Sequence, residues 1–186
     1  MKKNIKINPY IYPMPVIILS TYNEDGSIDM MNAAWGTAID TDIIGVCLSE
    51  HKTTENFLRT NGVVIQLATE ATIVPCDYVG CVSGKNTKDK FEKTGFHAHK
   101  SEYVNAPIID ELPLAMECEF LYVDKESGMH YFRIKNVQAD ESLFDENGKL
   151  DLRKAHAVIY SSFDHKYYKL GEPIADAFRC GLTLKK

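Results

Sequence analysis

The chain carries its apolar residues in short runs with a period of two, which is the pattern of strands. Val16 to Thr21 is an apolar run, Asp25-Gly26 is a strong hairpin turn, and the return arm passes through Ile28 and Met30. Ile43 to Ser49 ("IIGVCLS") and Val63 to Thr69 ("VVIQLAT") read as buried strands. Between them "TTENFLRTNG" predicts a short helix, with Thr53 as N-cap and Gly62 just past its end. Further on, "ATIVPCDYVGCVSG" predicts a helix interrupted near Pro75, and "TKDKFEKTG" a second short helix ending at Gly95. "LAMECEFLYV" alternates through Leu114, Met116, Cys118 and Phe120, and "SGMHYFRIKNVQA" returns from a turn at Ser127-Gly128. "DENGKLD" reads as a loop, and "AVIYSSFDHKYYKLGE" as a last strand and a C-terminal segment. About six hairpin-joined strands without regular βαβ alternation predict one mainly β, α+β domain over 1–186, an antiparallel barrel or sandwich.

Composition narrows the class only a little. At 186 residues the chain has room for a sizeable core. A net charge of -5 offers no basic excess for nucleic acid, though a local site for one small phosphate stays open. The lysine-bearing start has no continuous apolar segment of the signal-peptide kind, and no window reaches the length of a membrane span. Five cysteines without a CxxC pair fit a reducing compartment, so the expected location is the cytoplasm. The thiols read as small core residues rather than nucleophiles.

Several motifs fail on inspection. "GCVSGKNT" has its glycines one residue too close for a P-loop, and Asn86 stands where Ser or Thr is needed. There is no GxGxxG. "DENGKLDLRKAH" lacks the turn and ligands of a calcium loop, and His97 and His99 have no third metal ligand nearby. No Ser/His/Asp order suggests a hydrolase, so covalent chemistry points to a cofactor rather than to side chains.

What remains is the segment "NAAWGTAID", Asn32 to Asp40, which sets the chain's one tryptophan among small residues. Such a stretch can seat a flat ligand against the backbone. The junction "SEHKTTENF" then gathers Ser49, Lys52, Thr53 and Thr54 at a predicted helix start. N–H groups, hydroxyls and one ammonium there suit a phosphate monoester, although Glu55 opposes it. Ordinary capping by Thr53 and a solvated Lys52 would explain the same residues.

"MPVIILSTYNEDGSIDMMNAAWGTA", "VCLSEHKTTENF" and "VGCVSGKNTKDKFEKTG" occur in one order with "APIIDELPLAMECEF", "GMHYFRI" and "YYKLGE". In this the chain resembles the flavin reductase-like proteins with an FMN-binding split barrel, in particular the flavoredoxin branch, from about Pro13 to Glu172. The resemblance implies a six-stranded, partly open antiparallel barrel, a homodimer, and FMN near the subunit interface. It implies that Asn32, Ala33, Ala34, Trp35, Gly36 and Thr37 lie along the isoalloxazine. A core or interface anchor is the other reading of Trp35. Ser49, Lys52, Thr53 and Thr54 would contact the phosphate and ribityl chain, with Ser83, Gly84 and Lys90 as a second element. Lys85 and Lys88 fit a solvated role equally well. His130 in "GMHYF" would lie near the flavin or an incoming nicotinamide, although Met129 replaces the Asp of the family's Gly-Asp-His triplet and a core histidine fits too. Phe163 would stand near the cofactor. The implied activity is hydride acceptance from NAD(P)H and delivery to a flavin, iron, small-molecule or protein acceptor. A flavoredoxin-type carrier without nicotinamide activity, or a non-catalytic binding module, are the alternatives.

Overall fold

The computed structural model describes residues 1–185. Its strands and helices run β1 (Met14–Pro15), β2 (Ile17–Tyr22), β3 (Ile28–Ala33), β4 (Gly36–Ala38), β5 (Ile43–Cys47), α1 (Lys52–Thr60), β6 (Gly62–Leu67) and α2 (Ile73–Cys81). They continue with β7 (Ala98–Lys100), β8 (Pro107–Ile109), β9 (Leu114–Asp124), β10 (Met129–Ala139), β11 (Val158–Ser161) and β12 (Lys166–Lys169). Seven strands, rather than the expected six, form one antiparallel sheet in the order β3-β2-β6-β9-β10-β5-β4. The difference comes from the short strand β4, which pairs three residues of a segment too polar and small to read as strand.

The two end strands of that sheet, β3 and β4, are consecutive in the chain and joined by Ala34 and Trp35 alone. The sheet must therefore curl until its edges meet, yet β3 pairs only with β2 and β4 only with β5. This is an antiparallel barrel split along one seam, and the segment 32–37 crosses the seam. Inside, Phe57 of α1 packs with Phe120 and Phe132 at ring-centroid distances of 5.5 and 5.1 Å. Outside, α2 covers a second cluster that includes Val16, Ile18, Met30 and Val79.

Local chemistry explains where the elements stop. The hairpin turn is as expected: Asn23 N–H donates to Ser27 O, and Gly26 takes φ 84°. Helix α1 starts two residues earlier than predicted. His51, not Thr53, is the N-cap, and its N–H donates to Thr54 Oγ1 at 2.8 Å. At the other end Asn61, not Gly62, takes the left-handed turn at φ 58°. Gly62 opens β6 instead, where a Cβ would sit 2.8 Å from the backbone N of Asn105. Pro75 does not break α2, since it lies in the first turn, where its missing N–H removes no helical bond. The predicted helix over 87–95 is turns followed by a 3-10 turn, Glu92–Thr94, closed at Gly95. Past the 143–155 region the chain forms a hairpin, β11–β12, rather than a single strand, and β11 pairs with β1.

Cys76 and Cys118 are buried as expected, and burial pushes their thiols up to about 11 and about 12. Cys81 and Cys180 are exposed, so the core reading does not extend to them. His97 and His99 pair with different carboxylates, Glu111 and Asp110. Among the described residues no helix is long and apolar enough to cross a membrane. The segments 1–13 and 170–185 are exposed throughout and leave Ile5, Ile7, Ile11, Ile174, Phe178 and Leu184 bare.

Candidate functional site

Two clefts open along the free edge of β3. The first, of about 340 Å3, lies at its C-terminal end, between Asn32, Ala33 and Ala34, the last turns of α2 and the β11–β12 hairpin. The N–H groups of Ala34 and Trp35 find no hydrogen-bond partner among the described residues, whereas Trp35 O accepts from Cys47 N–H at 2.8 Å. That follows from the split: a chain that leaves one edge strand for the other has no neighbour on its open side. At Gly36 a Cβ would lie 2.8 Å from Ile17 Cδ1, so a larger residue there would push that terminal methyl aside. Thr37 is exposed, and Trp35 is 51% exposed at the seam rather than in the core.

The second cleft, of about 560 Å3, lies at the start of β3, where Lys52, Lys85, Lys88 and Lys90 meet Asp25, Asp29 and Glu55. Its floor is a buried polar cluster. Asp29 is 2% exposed and accepts from Thr53 Oγ1 at 2.5 Å, while Lys90 Nζ lies 3.5 Å from Asp29 Oδ1. Burial draws the Lys90 amine below its usual value, against the opposing pull of Asp29. Gly84 sits so close that a Cβ there would overlap Asp29 Oδ1. The cluster therefore ties three remote pieces together: β3, the first turn of α1, and the loop that follows α2.

The rim is more open. Lys52 is 3.8 Å from Glu55, and Lys85 pairs with the same carboxylate. Ser49 Oγ lies 2.9 Å from His51 Nε2, and Ser83 caps its own turn by accepting from Lys85 N–H at 3.2 Å. An anion at the start of α1 would meet two lysines whose existing partner is a single exposed glutamate.

A family model for the flavin reductase like domain matches residues 10–156. The chain belongs to the flavin reductase like domain family. It is 30% identical to the flavoredoxin of Desulfovibrio vulgaris (Miyazaki F), over 97% of this chain and 100% of that one, with a TM-score of 0.91. Flavoredoxin from Methanosarcina acetivorans is 25% identical over 98% and 100%, with a TM-score of 0.86. The FMN-binding domain of a flavin reductases-like enzyme from Shewanella baltica OS155 shares the fold at 20% identity, covering 87% and 88%, with a TM-score of 0.77.

Set on this flavin reductase-like frame, the residues singled out from the sequence divide into three groups. Asn32, Ala33 and Ala34 line the first cleft, and Lys52, Gly84 and Lys90 line the second. Thr53, Thr54 and Lys90 are buried and already engaged, the first and last with Asp29 and Thr54 with His51. Their side chains line or support the cleft from within, and the cations on its rim are Lys52 and Lys85, both beside Glu55, with Lys88. Phe163 lines neither cleft. It stands in the β11–β12 turn, 56% exposed, with its ring 5.8 Å from Tyr12.

His130 is placed away from both clefts. It is 7% exposed in the barrel interior, 5.6 Å from the Phe57 ring centroid, and its Nδ1–H donates to Gly128 O at 3.0 Å. Within one chain it is a core histidine, because its strand register, opposite Val46, turns it inward. Burial lowers its pKa below the usual 6.5. The native state thus resists protonation that the unfolded chain accepts, so stability is complete above the unfolded value and falls as pH drops below about 6.5. The slope is at most about 1.4 kcal/mol per pH unit for this one group. Urea midpoints measured from pH 7 to 5 should fall more steeply for the native chain than for His130→Phe; equal slopes would refute the buried neutral histidine.

Sequence reasoning passed over Asp29, and over Asp77 and Tyr167, which line the first cleft. Asp29 left a signal, an acidic residue between the apolar Ile28 and Met30. Tyr167 left none, since nothing local distinguishes it from Tyr168.

Proposed function

We propose that this chain binds FMN along the free edge of β3 and works as a flavoprotein oxidoreductase. The observation that carries the reading is the seam, where the N–H groups of Ala34 and Trp35, without partners among the described residues, stand among small side chains at the first cleft. A flat, acceptor-rich ring edge fits such donors, and a phosphate fits the lysine-bearing start of α1. The family and the flavoredoxin relatives support the same ligand. Bound FMN would supply hydride and one-electron chemistry that no side chain here provides.

The chain's own residues bind, orient and shield. Lys52 and Lys85 neutralise the phosphate, with Ser49 and the first turn of α1 as further donors. Ala33, Ala34 and Gly36 admit the ring close to the backbone, and Trp35 flanks it. NAD(P)H is the proposed hydride donor, and a flavin, iron, small-molecule or protein acceptor takes the electrons onward. The flavoredoxin likeness favours a second reading, an electron carrier that takes no hydride from nicotinamide. A homodimer fits the bare apolar side chains of segments 1–13 and 170–185, which a second copy would cover. The cytoplasm remains the proposed location.

The test is an absorption spectrum after FMN loading and desalting, followed by anaerobic NADH and NADPH. Flavin bands that bleach with either nucleotide support the reductase, and bands that persist until chemical reduction support the carrier. Lys52→Ala should weaken FMN binding about tenfold, the loss of about 1.4 kcal/mol of charge-assisted contact. An unchanged affinity would move the phosphate elsewhere, and failure to bind FMN in a titration would sink the flavoprotein reading.

A further inference from the structure

The first cleft has a wall that lies beyond the family-matched residues 10–156, namely the β11–β12 hairpin with Tyr160, His165 and Tyr167. Tyr167 reaches across the cleft. Its hydroxyl donates to Asp77 Oδ1 of α2 at 2.6 Å. On the other side it accepts from Asn32 Nδ2 at 3.5 Å, and the same Nδ2 donates to the carbonyl of Cys76 at 3.1 Å. The polarity of this chain of bonds is unambiguous. The Cys76 carbonyl can only accept, so the amide nitrogen of Asn32 must face it. Asp77 holds the phenol proton, which leaves an oxygen lone pair of Tyr167 for the same nitrogen. Helix α2 also approaches closely here, since a Cβ on Gly80 would lie 3.0 Å from Asn32 Cβ.

With its nitrogen engaged on both sides, Asn32 keeps its Oδ1 as an acceptor without a partner among the described residues. Two residues on, the N–H groups of Ala34 and Trp35 are donors without partners. An acceptor beside donors has the complementary groups of an imide, O=C–NH–C=O, which presents one N–H and two carbonyls. A flavin carries that group on its pyrimidine ring.

We propose that Asp77, Tyr167 and Asn32 form a positioning relay that aims Asn32 Oδ1 at the imide N3–H of the bound flavin. Asn32 touches the ligand, while Tyr167 and Asp77 act through it. The hairpin is thereby part of the cofactor site, although it lies outside the matched domain. This rests on the FMN reading above, and the experiment separates the two.

The measurement is the dissociation constant of the full-length protein for FMN and for 3-methyl-FMN, whose N3 carries no proton. A site that hydrogen-bonds an N–H discriminates strongly against an analogue lacking it. The native chain should prefer FMN by at least about tenfold. Asn32→Ala should reduce the preference to near unity. Tyr167→Phe keeps the ring but releases the amide, and should reduce the preference to about threefold. Asp77→Ala should do the same, whereas Asp77→Asn, which still offers Tyr167 an acceptor, should restore it. A purely structural role for these residues would alter both flavin affinities together and leave their ratio unchanged.

Equal binding of the two flavins by the native chain, or a preference that survives Asn32→Ala, overturns the assignment while the FMN reading stands. A preference that survives Tyr167→Phe overturns the relay. Failure of the native chain to bind FMN at all overturns both.

Discussion

Lys90→Ala should cost about 3–5 kcal/mol of folding stability, because it leaves the Asp29 carboxylate buried without its cation. Both side chains are nearly inaccessible, 5% for Lys90 and 2% for Asp29, and their charged atoms lie 3.5 Å apart. The pair is not itself strongly stabilising, since each ion gave up its hydration on burial, and that loss is why the Lys90 amine lies below its usual value. Removing one partner is a different matter from removing both. Among the described residues Thr53 would remain as the one side-chain donor to the Asp29 carboxylate, and one hydroxyl does not replace an ammonium. Asp29→Ala combined with Lys90→Ala should therefore recover much of the loss, a coupling that a double-mutant cycle in urea reads directly. A single-mutant cost below about 1 kcal/mol would show that water reaches Asp29 and that the pair is not buried in solution. The same variant should loosen the loop holding Gly84, and with it the wall of the second cleft.

Phe57→Ala should cost a further 3–5 kcal/mol on its own, about the largest loss available from a single core truncation. Phe57 is fully buried, with Phe120 at 5.5 Å, Phe132 at 5.1 Å and His130 at 5.6 Å between centroids, so the vacated volume is bounded by rings that cannot easily collapse into it. It is also the residue that anchors α1 inside the barrel. The start of that helix carries Lys52, so the destabilised variant should lose cofactor affinity before it unfolds fully. Phe57→Leu keeps most of the volume and should lose less than half as much. Thermal melts of the two variants check this, and similar melting temperatures for Ala and Leu would place Phe57 outside the core that holds the helix.

The parts of this protein that could be read in advance are those governed by neighbours in the chain. Asp25-Gly26 makes its hairpin because glycine alone tolerates φ 84° without cost, and that preference is local. The alternation through Leu114 and Met116 marks β9 because a strand turns successive side chains to opposite faces. The small residues around Trp35 stand out because a core strand would use larger ones. Where local reading failed, a second position decided the outcome. Pro75 was expected to break a helix, and it sits instead where the first turn has no bond to lose. For Lys90 and Thr53 the sequence showed the chemistry and the fold added a partner, Asp29, 61 and 24 residues away.

By itself, then, the sequence determined most element types and the hairpin turns, and it singled out the stretch from Asn32 to Thr37. Tertiary structure alone decided that this stretch crosses the seam of a split sheet, that His130 faces the barrel interior, and that Tyr167 meets Asn32 across 135 residues of chain. The physical reason is the range of the forces involved. Backbone sterics and side-chain periodicity act over a few residues, whereas the partner of a buried polar group is set by strand order and by the closure of the sheet.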